Sequence, residues 1–234
     1  MAGDWVSWHD TYDDPASPLR MRLTLVTEHL SAAVAAAPDG PVQVVSLCAG
    51  QGRDIIGALA GHPRQGDVAA LLVELDPANA KIASDRATAA GLTSVTVRQA
   101  DAGIVAHYAD ALPADVLLLC GIFGNLDDED IQQTVAASAA MCAPGGTVIW
   151  TRHRRPPDLT VQIRSWFATA GFEEVAFEAP HTTMSSVGVH RRRDGGPSEL
   201  AHDAGPIAAA GLPPGGRLFT FRPDRQAGPS PAPG

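Results

Sequence analysis

Cysteine is scarce in this chain: there are 3, Cys48, Cys120 and Cys142, among 234 residues. An odd number with no close pair builds no disulfide framework, and no Cys-x-x-Cys or Cys/His zinc spacing occurs. A reducing, cytoplasmic setting without a bound metal is the expectation. Basic charge is also short. Lys plus Arg is 17 against 26 Asp plus Glu, a formal net charge of −9. Holding nucleic acid through many phosphate contacts needs a basic face, so that class of partner is excluded. No apolar run reaches the ~20 residues that span a bilayer. The opening MAGDWVSWHD lacks the basic start and apolar stretch of a signal peptide. No membrane partner is expected, and the oligomeric state is not readable. Aromatics are only 5%, although 4 residues are Trp, with Trp5 and Trp8 close together near the start.

What is present is ordinary for a globular protein: 45% hydrophobic and 18% charged residues. That is enough for a sizeable core and excludes disorder throughout. Residues 1–17 are polar with Trp5, Trp8, His9 and Tyr12 set among them. From Pro18 the apolar positions Leu19, Leu23, Val26 and Leu30 recur at helical steps, until Pro38-Asp39-Gly40 stops the pattern. Short apolar or β-branched runs then alternate with helical segments. PVQVVSL, AALLVEL, SVTVRQA, ADVLLLC, GTVIWTR, EEVAFEA and RLFTFR are the expected strands. The first five are separated by helical or turn-bearing segments, which predicts a doubly wound, mostly parallel seven-stranded α/β sheet with helices on both faces. The last two, EEVAFEA and RLFTFR, are expected to form an antiparallel edge pair. The organisation reads as an N-terminal lid segment and helix over 1–40, a Rossmann-like domain over 41–222, and a disordered tail over 223–234.

Ligands of open α/β sheets bind beyond the carboxyl ends of the strands. The first strand ends in Ser46-Leu47-Cys48-Ala49-Gly50-Gln51-Gly52, a turn into a helix where small residues allow close backbone approach. By itself it is equally a plain tight turn. The second ends in Glu74-Leu75-Asp76-Pro77. Glu74 follows the first glycine at about the interval, ~20 residues, at which an acid reaches ribose hydroxyls. Asp76 competes for that role or caps the next helix. The third ends in Asp101-Ala102, where the acid either meets an adenine amino group or caps the next segment. The fourth ends in Cys120-Gly121-Ile122-Phe123-Gly124-Asn125, the segment expected to face the reacting end of a ligand.

Together with the Pro144-Gly145-Gly146 turn, these ends resemble the class I S-adenosylmethionine-dependent methyltransferases over roughly residues 42–151. SLCAGQGRD and TRHRR look like a bacterial subgroup of that family. The resemblance implies S-adenosylmethionine as cofactor and a small-molecule acceptor. It implies that Cys48, Ala49, Gly50, Gln51 and Gly52 pass under the methionine portion. Glu74, with Leu75 beside it, would hold the ribose, Asp101 and Ala102 the adenine, and Cys120, Gly121 and Ile122 would lie near the sulfonium. The chain departs from the family where its loop usually begins with an acid and has a glycine two residues on: here stand Ser46 and Cys48. Ser46 brings no carboxylate to the cofactor amine, so a backbone carbonyl or another side chain has to. The segment after the fourth strand lacks the Asn/Asp-Pro-Pro-aromatic signature of methylation on planar nitrogen.

A general base helps when the acceptor is a phenol, alcohol or protonated amine. His153 is the first candidate and His190 the second. Trp8, Tyr12, Asn125, Arg152 and Arg154 are candidate acceptor contacts. The run Arg152-His153-Arg154-Arg155 in an acidic chain points to an anionic or carboxylate-bearing acceptor, the plain alternative being a solvated basic loop. Two other readings stand beside this one: an inactive cofactor- or partner-binding module, and an NAD-dependent dehydrogenase. The third residue after Gly52 is Ile55 rather than the glycine of G-x-G-x-x-G, which counts against the second.

Overall fold

The computed structural model describes residues 9–14, 16–194 and 216–222. Five helices and seven strands are arranged in chain order as α1 (Pro18–Ala36), β1 (Val42–Leu47), α2 (Arg53–Leu59), β2 (Val68–Glu74), α3 (Pro77–Ala89), β3 (Val95–Gln99), β4 (Ala114–Leu119), α4 (Asp128–Met141), β5 (Cys142–His153), α5 (Thr160–Thr169), β6 (Phe172–Glu178) and β7 (Ser185–Arg192). A 3-10 turn, His9–Asp13, precedes α1.

Helix starts follow local chemistry. Ser17 accepts from Leu19 N, with Pro18 at the first turn of α1. Asp76 accepts from Ala78 N and Asn79 N at the start of α3, and Asp127 from Asp130 N at the start of α4. Each side chain satisfies backbone donors that the first helical turn leaves over. Asp76 is thereby spent on its helix.

The strand order is β3-β2-β1-β4-β5-β7-β6. β1 through β5 pair in parallel, whereas β7 runs antiparallel to both β5 and β6. Alternation along the strands sorts the core into two layers. Val44, Leu72, Val116 and Leu118 join Val26, Leu30 and Val34 of α1 and Ile55 of α2 on one face. Val45, Leu47, Val73, Leu117 and Leu119 join Ile131 of α4 and Ile163 and Phe167 of α5 on the other. The strand order reverses between β1 and β4, and the mouth formed there is the switch point at which such sheets take ligands.

The antiparallel edge exists, with a different partner from the one expected. The strand beside β6 is Ser185–Arg192, and RLFTFR forms no strand of the sheet, making one isolated β-bridge, Ile104 to Arg217. Leu218 and Phe219 are nonetheless buried in the second core layer. β7 hides from pattern reading because it carries Gly188 in its middle and His190, Arg191 and Arg192 behind. The glycine is needed there: an added Cβ would lie 2.2 Å from Cε2 of Trp150. β5 also starts earlier than GTVIWTR suggests, because Pro144-Gly145-Gly146 lies inside the strand at a register shift opposite Ala114 and Val116. Asp101 caps no helix; its Oδ1 accepts from Gly103 N at 2.8 Å, a local turn. The expected tail over 223–234 lies outside the described residues.

Candidate active site

A cleft of about 1280 Å³ opens at the carboxyl ends of β1, β2, β4 and β5. Its floor is the loop after β1. Gly50 and Gly52 adopt left-handed conformations, and so does Cys48, at φ 52°. A non-glycine residue held there costs of order 1–3 kcal/mol and is a mark of functional loops. An added Cβ at Gly52 would meet Leu72 Cδ2 at 2.7 Å, so this glycine serves helix–strand packing. The Glu74 carboxylate braces the floor. Oε2 accepts from Gly50 N at 2.7 Å and Oε1 from Asp76 N at 2.8 Å. Burial pushes its carboxyl above the usual range. Beside it Leu75 is 64% exposed, a large apolar side chain held open on the cleft.

Charged groups line both sides of the cleft. Glu74, Asp76 and Asp101 line the β2–β3 side, where Arg217 pairs with Asp101; Arg152 and His153 at the end of β5, Arg155 just after it and Arg22 of α1 line the other, together with Arg53 and Asp54 of α2. Arg152 is buried and donates through Nη1 to the Phe123 carbonyl. Thr151 Oγ1 accepts from Gly121 N at 2.8 Å, and Asn125 Nδ2 donates to the Gly121 carbonyl at 2.8 Å. These bonds fold the segment after β4 into a fixed wall. Gly121 adopts φ 78°, and a Cβ built on it meets nothing within 4 Å. Gly124 lies against His153, whose Cδ2 would be 3.4 Å from an added Cβ.

The N-terminal wall is tied down by cations. Arg53 grips Asp13 through two hydrogen bonds, 2.6 and 3.2 Å. Arg22 Nη2 donates to the buried Tyr12 hydroxyl at 2.5 Å. Burial raises the Tyr12 phenol above its ordinary pKa. The Cys48 thiol is pushed far up by burial and by the Glu74 and Asp101 charges, and burial likewise raises Cys120. Both remain protonated and are poor nucleophiles.

Of the residues singled out in the sequence, Tyr12, Cys48, Ala49, Gly50, Gln51, Glu74, Leu75, Asp101, Ala102, Cys120, Gly121, Asn125, Arg152 and His153 all line the cleft. Four do not. Gly52 packs behind the loop, and Ile122 is fully buried in the core. Arg154 turns away, its Nη2 donating to the carbonyls of Pro180 and Thr183. His190 sits in the core, stacked 4.5 Å from Phe167. Its Nδ1 accepts from Trp150 Nε1 at 3.1 Å, and burial lowers its pKa to about 4. Enclosed this way, it reaches no acceptor, which corrects its assignment as a base. Trp8 lies outside the described residues. Sequence reading missed Asp54, and it missed residues 216–222, which lie across the cleft rather than in the sheet. Arg217 Nη1 pairs with Asp101 Oδ2 at 2.9 Å, and Phe219 and Phe221 stack at 5.8 Å along the lining. Leu218 N bonds to Gly103 O, Thr220 N to Asp130 Oδ2, and Arg222 N to Asn125 O.

A family model described as "Putative methyltransferase" matches residues 17–171. The chain belongs to this methyltransferase family. A search of the curated proteins finds no match. Among solved structures, an O-methyltransferase family protein from Burkholderia thailandensis superposes with a TM-score of 0.61 at 18% identity, over 78% of this chain and 58% of that one. This chain thus spans less than two thirds of that relative. The magnesium protoporphyrin IX methyltransferase of Synechocystis PCC 6803, solved with S-adenosylmethionine bound, superposes at 0.61 and 14% identity, over 79% of this chain and 89% of that one. A CurJ carbon methyltransferase gives 0.59 at 13% identity, over 73% and 54%. At these identities the likeness is one of fold. No helix among the described residues is long and apolar enough to cross a membrane, and no cluster of His, Cys, Asp or Glu among them is arranged for a metal.

Proposed function

We propose that the chain is an S-adenosylmethionine-dependent methyltransferase of the cytoplasm, acting on a small anionic or carboxylate-bearing acceptor, with an N-terminal lid segment and helix over residues 1–40. The observation that carries this reading is one cleft at the strands' carboxyl ends that sets Glu74 and Asp101 at its β2–β3 side and Arg22, Arg152 and Arg155 opposite. The donor set fits the cofactor. The Glu74 carboxylate, fixed at the rim by two backbone N–H groups, is an acceptor for a ribose diol. Leu75 and Ala102 offer apolar contacts to a purine, with Asp101 at its edge. The turn at Gly121 leaves open space over the β4 end.

When bound, the cofactor supplies a sulfonium methyl that passes in line to a nucleophile and leaves a neutral thioether. Much of the catalysis is then orientation and exclusion of water. Arg22, Arg152 and Arg155 hold an acceptor anion by charge-assisted hydrogen bonds. Asn125 positions it from the β4 side. His153 stands beside Gly124 where it can take the acceptor's proton, at an oxygen or nitrogen nucleophile. Family membership favours methyl transfer over the dehydrogenase reading. The acidic balance leaves nucleic acid out.

Titration calorimetry with S-adenosylmethionine and S-adenosylhomocysteine tests the cofactor. Both are expected to bind, and a folded chain that takes neither overturns the reading. With an acceptor found by screening small carboxylates and phosphates for S-adenosylhomocysteine release, His153→Ala is expected to lower turnover about 10²-fold. Cofactor affinity should be unchanged. Equal single-turnover rates would remove His153 from the mechanism.

A further inference from the structure

We infer that Asp54 supplies the carboxylate that receives the cofactor's ammonium group, in place of the acid absent at Ser46. The inference rests on the S-adenosylmethionine reading above. An amino-acid ammonium taken into a cleft needs an anionic or carbonyl partner, because an uncompensated charge out of water is costly. Ser46 lines the cleft at the end of β1 but carries no charge.

Four acids line the cleft: Asp54, Glu74, Asp76 and Asp101. Three belong to the nucleoside side of the cleft. Both Glu74 oxygens take backbone N–H groups, Asp76 caps α3, and Asp101 is shared between Gly103 N and Arg217. All three stand on the β2–β3 side, where the ribose and adenine would lie. Asp54 stands on the other side of the loop after β1, in the first turn of α2. It is close enough to Tyr12, Arg22 and Cys120 to couple with them electrostatically. Its Oδ1 accepts from Ile55 N at 2.8 Å, a bond within its own helical turn, and the residue lines the cleft. The carboxylate is therefore at the β4 end of the loop, on the path of the methionine portion, while the remaining acids grip the nucleoside. Burial raises the Asp54 carboxyl above its ordinary pKa, the condition that a bound cation relieves.

The test compares S-adenosylhomocysteine, its deaminated analogue and 5′-methylthioadenosine on the wild-type chain and on Asp54→Asn, by calorimetry. The expected result is a loss of about 30-fold or more for S-adenosylhomocysteine. The deaminated analogue and 5′-methylthioadenosine should bind both proteins equally. Retained binding of 5′-methylthioadenosine shows that the variant is folded. S-adenosylhomocysteine affinity within about twofold of wild type, or an equal loss for all three ligands in both Asp54→Asn and Asp54→Ser, overturns the assignment of Asp54 alone. A wild-type chain that binds none of the three overturns the cofactor reading and the assignment with it.

Discussion

His190 shows how one side chain can carry chemical promise in a sequence and none in the fold. Trp150 donates to its Nδ1, so that nitrogen must stay an acceptor, and a second proton there would face the indole N–H. Nε2 lies 3.7 Å from Glu174 Oε2, too far for a hydrogen bond. The pKa is lowered to about 4 from 6.5, chiefly by burial. A histidine with a depressed folded pKa leaves more protons on the unfolded chain between those two values. Stability therefore falls as pH drops from 6.5 towards 4, by roughly 3 kcal/mol over the whole window for this group. The thermal midpoint is expected to decline across that range, and His190→Asn should flatten the decline by keeping an acceptor for Trp150 without a titrating ring. An unchanged slope would assign the acid sensitivity to other groups. The sequence offers His190 as a candidate base but does not tell which side of the sheet it faces. That is set by the register of β7, in which His190 pairs with Val148 and Glu174.

At the scale of elements, the parallel half was readable because each strand ends in a recognisable turn. Val42–Leu47, Val95–Gln99 and Ala114–Leu119 fall within the apolar runs, and Val68–Glu74 begins one residue ahead of AALLVEL. The antiparallel edge was not, since alternation reports burial rather than pairing. RLFTFR alternates and buries two of its residues without joining the sheet, while SSVGVHRR pairs on both sides with little apolar signal. Gly188 is what allows this strand to pass over Trp150, so Gly188→Ala must either push β7 outward or turn the indole. The expected cost is roughly 2–4 kcal/mol in urea unfolding. A loss under about 0.5 kcal/mol, the range of an ordinary surface change, would show that the Trp150 contact is not what demands the glycine. The strand-end residues that line the cleft, from Cys48 to Gln51, at Glu74 and at Asp101, were legible for the same reason as the parallel strands. Asp54 was passed over because an acid in a first helical turn already has a sufficient local explanation in the helix dipole.

For the whole molecule, the strap at 216–222 links parts that the sheet alone leaves apart. It joins the β3 end at Gly103 and Asp101, the start of α4 at Asp130, and the wall at Asn125. Gly103 is the tightest point, where an added Cβ would lie 2.4 Å from the Phe219 carbonyl. Gly103→Ala is expected to lift the strap while leaving the strands in place. Amide exchange within 216–222 should rise roughly tenfold or more, with S-adenosylhomocysteine binding weakened and exchange in β1 and β4 unaffected. Undiminished protection across the strap would show that it is held by its buried side chains instead.

The position of β7 carries a consequence for how the chain reaches this state. β7 follows β6 in the chain yet lies between β5 and β6. Until residues 185–192 arrive, β5 has a bare edge and β6 has nothing to pair with. The β6–β7 hairpin therefore joins the sheet through β7, the strand made last, onto the exposed edge of β5. Two incomplete copies at that stage present matching vacancies, and trading this hairpin is the simplest way for them to become entangled.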